Sequence, residues 1–442
     1  MSQFDFLDGL IKAARVAGAD VADAVAVSGT SLSVSLRGGV VEHLERSEGR
    51  DIGLRVFVGR RSAIVSASSF NPAGFAALAE QAVAMARVVP EDPFGGLAGE
   101  ARVPDVMDLE MCDFAEPDAA SLIARARVAE SAALAVAGVV QAEGAEAGYS
   151  RSASAIATSA GFFGETQRSG HSLSVSALAG AGVLMERDYD YTGAVWLADL
   201  EDAEGIGRNA GERAVRRLNP GRPRTGVMSV VYDPRVASGL VGHFIGGING
   251  ASIARGTSFL KDSLGQRIFA PGLVIVDEPR RRRGLRSRLF DGEGVPTQNR
   301  NLVDDGVVTT WLLDSRTARQ LGMATTGHAA RGTSGPPSPS ATNLYLQPGK
   351  ATPAELMADI KEGLYVTELM GTAVSTLTGD YSRGASGFMI RNGELAEPVS
   401  EITIASTLQH MFAQMVPAND LRLRRGTDAP TVRIDGMTMA GA

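Results

Sequence analysis

The stretch whose setting invites metal chemistry is PRVASGLVGHFIGGINGASIARGTSF, residues 234–259, a helix-forming run closed by a Gly-Thr-Ser turn. A metalloprotease helix needs two histidines on one face about a turn apart, with a glutamate beside the first to activate metal-bound water. His243 is the single histidine of this run, Gly246 and Gly247 bring no side chain, and no acid lies between Val236 and Lys261. A lone histidine in such a place reads as a hydrogen-bonded structural residue. Val236, Leu240, Phe244 and Ile248 recur every fourth position with Val241 and Ile245 beside them, so the run is expected to be a buried core helix.

Other chemistry-bearing residues are scattered. His328 stands in LGMATTGHAARGTSGPPSPS with Arg331 and Gly332, and a long connection of this kind is expected to reach a partner or a bound peptide. Asp380, Tyr381 and Arg383 could line a groove, although a Gly-Asp turn between strands explains them equally. Ser334 and Ser386 sit in no Gly-x-Ser-x-Gly elbow and have no His and acid arranged around them, which argues against a serine hydrolase. Asp304-Asp305-Gly306 reads as a hairpin turn, because the ligand series of a calcium loop is missing. Arg280, Arg281, Arg282, Arg283, Arg286 and Arg288 form a basic run that could hold phosphate or an acidic partner; a solvated loop balanced by Asp291 and Glu293 is the preferred reading.

The elements that must position these residues belong to a chain of 442 residues, long enough for two or three domains. Hydrophobic residues make up 44%, the net charge is -7, and there is one cysteine, Cys112. That balance argues against a general nucleic-acid binder, which needs excess Lys and Arg to displace counterions. A single cysteine excludes a disulfide framework and suits a reducing cytoplasm. The first residues, MSQFDFLDGLIKAARVAGAD, carry early acids and no unbroken apolar core, so neither a signal peptide nor a membrane span is expected there.

Periodicity predicts an N-terminal module over 1–89: a helix over 4–17, short strands at 24–27, 32–36, 40–44, 54–58 and 63–65, and a helix from Asn71 to about Val88. A Pro- and Gly-containing linker follows over 90–115. A second module over 116–219 repeats the order helix, strands, helix, which raises the question of an internal duplication. After Pro220-Gly221-Arg222-Pro223, residues 224–442 form a β-rich C-terminal domain with later helices at 353–364 and 406–415. The fold class is α+β with mostly antiparallel sheets.

Long ordered motifs then carry a resemblance: ARGTSFLKDSLGQRIF from Ala254, DGEGVPTQNRNLVDDGVV from Asp291, GTSGPPSPSATNLYLQPG from Gly332, TGDYSRGASGFMIRNGE from Thr378 and PVSEITIASTLQHMF from Pro398. The chain resembles the TldD/PmbA family along essentially its whole length, and within it the TldE (PmbA) type, the metal-free partner. In the TldD half an HExxxH helix precedes the Arg-Gly-Thr-Ser turn and binds a catalytic metal, with a C-terminal cysteine as a further ligand. Counting back from Arg255, those positions are Val241, Gly242 and Gly246 here, and the loop between Asn419-Asp420-Leu421 and Pro430 has no cysteine.

The resemblance implies a non-catalytic subunit with no catalytic or metal-ligating residue and no cofactor of its own. It would pair with a TldD-like chain, which carries a zinc-like metal, into a cytoplasmic heterodimeric metalloprotease acting on unfolded peptides, including peptide-antibiotic maturation and antitoxin degradation. A homodimer is conceivable where the partner is absent. Two other functions compete: a self-sufficient metallo-hydrolase using His243, His328 or His410, and a gyrase- or nucleic-acid-associated binding protein using the arginine run.

Overall fold

The computed structural model describes residues 2–68, 71–99 and 107–441. Its first helix, α1 (Gln3–Val16), shows how local chemistry sets an element. Ser2 Oγ accepts from the Asp5 backbone N–H at 3.1 Å and the Asp5 carboxylate accepts from the Ser2 N–H at 3.2 Å, closing a capping box. One face then buries Phe6, Leu7, Leu10, Ile11 and Ala14.

The first unit continues through β1 (Val21–Arg37), β2 (Val40–Val58), β3 (Arg61–Ala67) and α2 (Phe75–Val88). The second runs α3 (Ala119–Leu134), β4 (Val139–Thr158), β5 (Phe163–Ala179), β6 (Glu186–Ala194) and α4 (Ala203–Arg216). The connection over 89–118 carries no helix or strand among the described residues.

All six strands form one antiparallel sheet in the order β3-β2-β1-β4-β5-β6. Each unit therefore builds outward from the central β1–β4 pair in the same sequence, giving a pseudo-twofold relation between them. Ala22, Ala24 and Ala26 of β1 lie under α1 and α2, and Leu32, Val34 and Leu36, on the same face of that strand, lie under α3 and α4. The opposite face, with Val25, Ile156 and Phe162, meets Phe290 of the C-terminal domain.

The short strands expected at 24–27 and 32–36 are halves of β1, and those at 40–44 and 54–58 are halves of β2. Likewise the apolar alternations at 139–145 and 154–158, each read as a strand of its own, are the two ends of β4, and those at 164–167 and 173–179 are parts of β5. The intervening Ser-, Gly- and charge-rich residues pair as regularly as the rest; they lack apolar alternation because they lie between the two helix-covered cores. Strand β6 escapes the periodicity entirely, since its buried positions include Asp188, Asp190 and Thr192.

The C-terminal domain begins with β7 (Gly226–Tyr232), α5 (Pro234–Gly247) and α6 (Gly250–Ala254). Then come β8 (Ile275–Asp277), β9 (Arg300–Asp304), β10 (Val307–Val308), α7 (Ser315–Gln320), β11 (Ala329–Ala330), β12 (Ser338–Pro339), β13 (Leu344–Leu346) and α8 (Pro353–Met357). The chain finishes with β14 (Glu362–Met370), β15 (Asp380–Arg391), β16 (Glu394–Thr407), α9 (Leu408–Ala413), β17 (Val416–Pro417), β18 (Thr427–Asp428) and β19 (Val432–Ala440).

Strands β16-β15-β14-β7-β19 follow one another in a sheet, and a β16–β19 pairing closes them into a barrel. A second sheet runs β10-β9-β8-β13-β18. Only β14–β7 and β13–β18 pair in parallel among the named strands, so the architecture is α+β and mostly antiparallel. The helix expected to reach residue 364 stops at Met357, because Glu362 onward is needed for the barrel. At the β9–β10 hairpin Asp305 and Gly306 both have positive φ, 48° and 78°, as a primed two-residue turn requires. No helix is long and apolar enough to cross a membrane among the described residues.

Candidate functional site

Helix α5 starts on Asp233, whose carboxylate accepts from the Arg235 N–H at 2.9 Å and from the Tyr365 hydroxyl at 3.0 Å. Pro234 occupies the first turn, where its missing N–H costs nothing. The helix buries Ala237, Leu240, Val241, Phe244 and Gly247 in the main C-terminal core, shared with barrel residues such as Leu364, Ala385 and Ile434. Its other flank is bare: a Cβ added at Gly239, Gly242 or Gly246 would meet nothing within 4 Å.

The three degenerate positions therefore divide. Gly242 and Gly246 face open space without a side chain, while Val241 is 1% exposed and sunk among aliphatic groups. Neither set can hold a metal, since glycine and valine supply no side-chain donor. Among the described residues no three His, Cys, Asp or Glu side chains are grouped to hold a metal ion. Restoring one ligand would not build a site. We expect Val241→His to lose stability by about 1–3 kcal/mol from overpacking and burial of a polar ring, measured by denaturant unfolding, with no gain in zinc binding by elemental analysis.

His243, on the same helix, is half-buried and meets the Tyr381 ring edge-on with centroids 5.9 Å apart. Burial, then the nearby Arg383 guanidinium, push its pKa below the ordinary histidine value. Arg383 itself donates through Nε to the Met370 carbonyl at 3.1 Å. Asp380, at the start of β15, is exposed and accepts from the Thr378 hydroxyl at 2.6 Å, which holds the turn entering the strand.

The loop carrying His328 is turned inward. His328 is 2% exposed, with Nδ1 2.8 Å from Thr326 Oγ1 and Nε2 2.9 Å from Asp277 Oδ2. Asp277 uses its other oxygen to accept from the Thr342 N–H and hydroxyl. The Arg331 side chain is 1% exposed and ion-paired with Asp23 of β1, some three hundred residues away in sequence. A Cβ on Gly53 would lie 2.0 Å from the Thr333 carbonyl oxygen, so this loop sits directly on the N-terminal sheet. His328 and Arg331 thus bind the fold internally, and Gly332 remains on the surface. His410 is placed separately, with Nε2 2.9 Å from the Asp435 carbonyl.

Sequence reasoning missed the polar joint that makes this possible. Asp23 is 1% exposed and accepts from Arg55 Nε at 2.9 Å and from Arg331, while Glu293 lies 3.8 Å from Arg55 and accepts from the Ser315 N–H at 2.8 Å. Burial alone would raise the Asp23 pKa, but Arg331 and Arg55 outweigh it and hold the carboxyl below its usual range. The available signal was a lone acid inside the apolar strand VADAVAV.

The arginine run is packed into the fold rather than forming a solvated loop, and of the two acids expected to balance it Asp291 attracts Arg288. Arg282 and Arg283 pair with Glu110, Arg283 also with Asp199 and with the Trp196 ring at 4.4 Å, and Arg281 pairs with Glu278 and covers Tyr345. Arg288 donates to the Ala329 and Ser340 carbonyls at 2.9 and 3.2 Å. Asp291 also accepts the backbone N–H groups of Glu293, Val295 and Ala329. Across the loop that lacks a cysteine, the Arg424 and Arg425 N–H groups donate to Asp428, and β18 packs near α5. Cys112, in the connection between the two units, is buried beside Ser169 of β5.

Three domain models of the PmbA/TldA metallopeptidases match this chain, domain 1 over residues 22–86, the central domain over 112–218 and the C-terminal domain over 225–441. The chain belongs to the PmbA/TldD family. The metalloprotease PmbA of Escherichia coli O157:H7 is 36% identical over 94% of this chain and 92% of its own length. A PmbA homologue of Haemophilus influenzae is 34% identical, covering 98% of this chain and 94% of its own. Among solved structures, a Bacteroides thetaiotaomicron chain named for modulation of DNA gyrase superposes with TM-score 0.90 at 26% identity, covering 99% of both chains. TldE from Thermococcus kodakarensis shares the fold, with TM-score 0.89 at 19% identity over 98% of this chain and 99% of its own. The C-terminal domain match takes in α5 and the Arg-Gly-Thr-Ser turn that follows it.

Proposed function

We propose that this chain is the non-catalytic subunit of a cytoplasmic, heterodimeric metalloprotease, with a TldD-like partner that carries the metal and an unfolded peptide as substrate. The observation that carries this reading is the composition of α5: a helix at the family's motif position, followed by the family's Arg-Gly-Thr-Ser turn, with Val241 in the core and glycine at Gly242 and Gly246. A bare flank with no donor suits a surface that lies against something rather than one that binds an ion. The chain's role would be to close the cavity and complete the path of an extended peptide.

The competing readings have less support. His243, His328 and His410 contact different residues and share no acid with one another. Most of the basic run is engaged within the protein, which removes the salt-dependent footprint a nucleic-acid surface would need. The test is to co-purify the chain with its genomic TldD-like counterpart and follow cleavage of an unfolded peptide. We expect turnover by the pair alone, abolished by a chelator; chelator-sensitive turnover by this chain in isolation would reject the proposal.

A further inference from the structure

Strand β5 leaves a gap along its outer edge, because β6 pairs only with residues 171–179 of it. The connection between the two units crosses one end of that edge, where the Ser169 N–H donates to the Met111 carbonyl at 3.0 Å, and it is tied to the C-terminal domain by the Arg283 N–H on the Leu109 carbonyl at 2.8 Å. Beside these ties lies a cleft of about 570 Å³, lined by residues 165–168 of β5, by the connection and by residues 287–289.

Two of the lining side chains carry positive charge without a paired acid. Arg168 donates through Nη1 and Nη2 to the Leu285 and Ser287 carbonyls at 3.0 and 2.6 Å, and Arg288 uses its two Nη atoms on the Ala329 and Ser340 carbonyls. Most of each guanidinium fork is left over. Neither side chain has an ion pair among the described residues, and Arg288 Nε is buried with no partner. Carbonyl oxygens satisfy N–H groups but do not neutralise a charge taken out of water. Burial, then the charge of Arg288, lowers the Arg168 pKa, and burial lowers that of Arg288 in spite of Asp291 and Asp277. Those two carboxylates are already engaged, Asp291 by three backbone N–H groups and Asp277 by His328 and Thr342. The acids that line the cleft are also placed elsewhere: Glu110 pairs with Arg282 and Arg283, Asp108 accepts from the Glu110 N–H at 2.8 Å, and Glu165 is exposed.

The rest of the lining includes an apolar surface. Trp196 is fixed there by its Nε1, which donates to the Glu110 carbonyl at 2.8 Å, and by Arg283 over its ring; Leu289 and Phe114, the latter 68% exposed, extend it. We propose that this cleft binds a small organic acid, its carboxylate or phosphate monoester head held by Arg168 and Arg288 and its apolar body lying against Trp196, Leu289 and Phe114. Forked guanidinium donors match the oxygens of such a head, which brings the negative charge that the two arginines lack. A purely structural role, tying β5 to the C-terminal domain, accounts for the four carbonyl contacts but leaves the charge and Arg288 Nε unmet and gives the apolar surface no part. The inference concerns this chain alone and is independent of the metal-bearing partner.

The test is a fluorescence titration of the full chain. Trp196 lines the cleft, whereas the other tryptophan, Trp311, is 3% exposed in the C-terminal core, so a ligand in the cleft should change the emission of Trp196. Phenyl phosphate and phenylpropionate are expected to give saturable changes with a Kd of about 1 mM or tighter, the tighter of the two naming the head group. Inorganic phosphate, which has no apolar body, should bind about tenfold more weakly, and benzyl alcohol, which has no charge, should not saturate. Arg288→Gln should weaken both acids by about tenfold. Phe114→Glu alters only an exposed position beside the cleft and should weaken both by about fivefold at unchanged thermal stability, which keeps the test independent of any loss of folding in Arg288→Gln. No saturable change with either acid, benzyl alcohol binding as well as the acids, or acid binding indifferent to both substitutions would each overturn the inference.

Discussion

Replacing Asp23 with alanine is expected to lower stability by about 3–5 kcal/mol, because it removes the one carboxylate that two buried arginines share. Arg55 and Arg331 would keep their charges inside the joint between the N-terminal sheet and the C-terminal domain, with Glu293 and the more distant Asp314 left to offset them. Removing both ends of one pair should cost less than removing one, so Asp23→Leu with Arg331→Met is expected to unfold at higher denaturant than Asp23→Ala. Chemical unfolding of the three proteins checks both statements; equal midpoints for wild type and Asp23→Ala would show the joint to be energetically neutral.

The same group gives a pH dependence with a definite sign. The folded Asp23 carboxyl is held below its unfolded pKa, so its contribution is fully present above the ordinary Asp value near 3.9 and is lost as pH falls through the folded value. Asp291 and Glu293 act oppositely: burial raises both, so their charged forms weaken the fold at neutral pH and that penalty is relieved as they protonate. Acid unfolding of Asp23→Asn should therefore lack the steepening that wild type shows below about pH 4.

The second large effect is expected in the helix pair over the second unit. At Gly207 of α4 an added Cβ would lie 2.0 Å from the Ala129 carbonyl oxygen of α3, a backbone atom that cannot rotate away. Gly207→Ala should destabilise by more than the ~1–3 kcal/mol of ordinary overpacking, as the helices must separate. Gly205→Ala is the control, since its Cβ meets only Asp202 at 3.6 Å and gains helix propensity. Thermal unfolding decides: a Gly207→Ala protein as stable as Gly205→Ala would mean that the helices are not in close contact.

How far the sequence reveals this molecule depends on where burial follows hydrophobicity. Helix α5 was legible because Leu240, Val241 and Phe244 repeat at helical spacing and are the residues that are buried. The paired units were legible as helix, strands, helix, but the strands were cut in two where Ser28–Ser31 or the charged residues of β2 break the alternation. Strand β6 was invisible for the converse reason: Asp188 is buried because Arg217 and Arg235 reach it, and Asp190 because Arg213 and Asn209 do. These partners are brought in by tertiary structure, and no local pattern announces them.

At the candidate site the resemblance singles out Val241, Gly242 and Gly246 by counting back from Arg255, and the fold adds that Val241 points into the core while Gly242 and Gly246 open outward. The loop at His328 was misleading for a physical reason: its glycines and prolines mark irregular backbone, and irregular backbone can be buried when side chains satisfy it, as Asp291 does for the Ala329 N–H and Arg288 for the Ala329 carbonyl.

The central claim, that this chain supplies a framework without the metal, is tested most directly by elemental analysis after zinc loading and dialysis. The prediction is that the isolated chain retains no stoichiometric metal while its complex with the TldD-like counterpart retains one equivalent per pair. One tightly held equivalent in the isolated chain, lost on replacing His243 or His328, would contradict it.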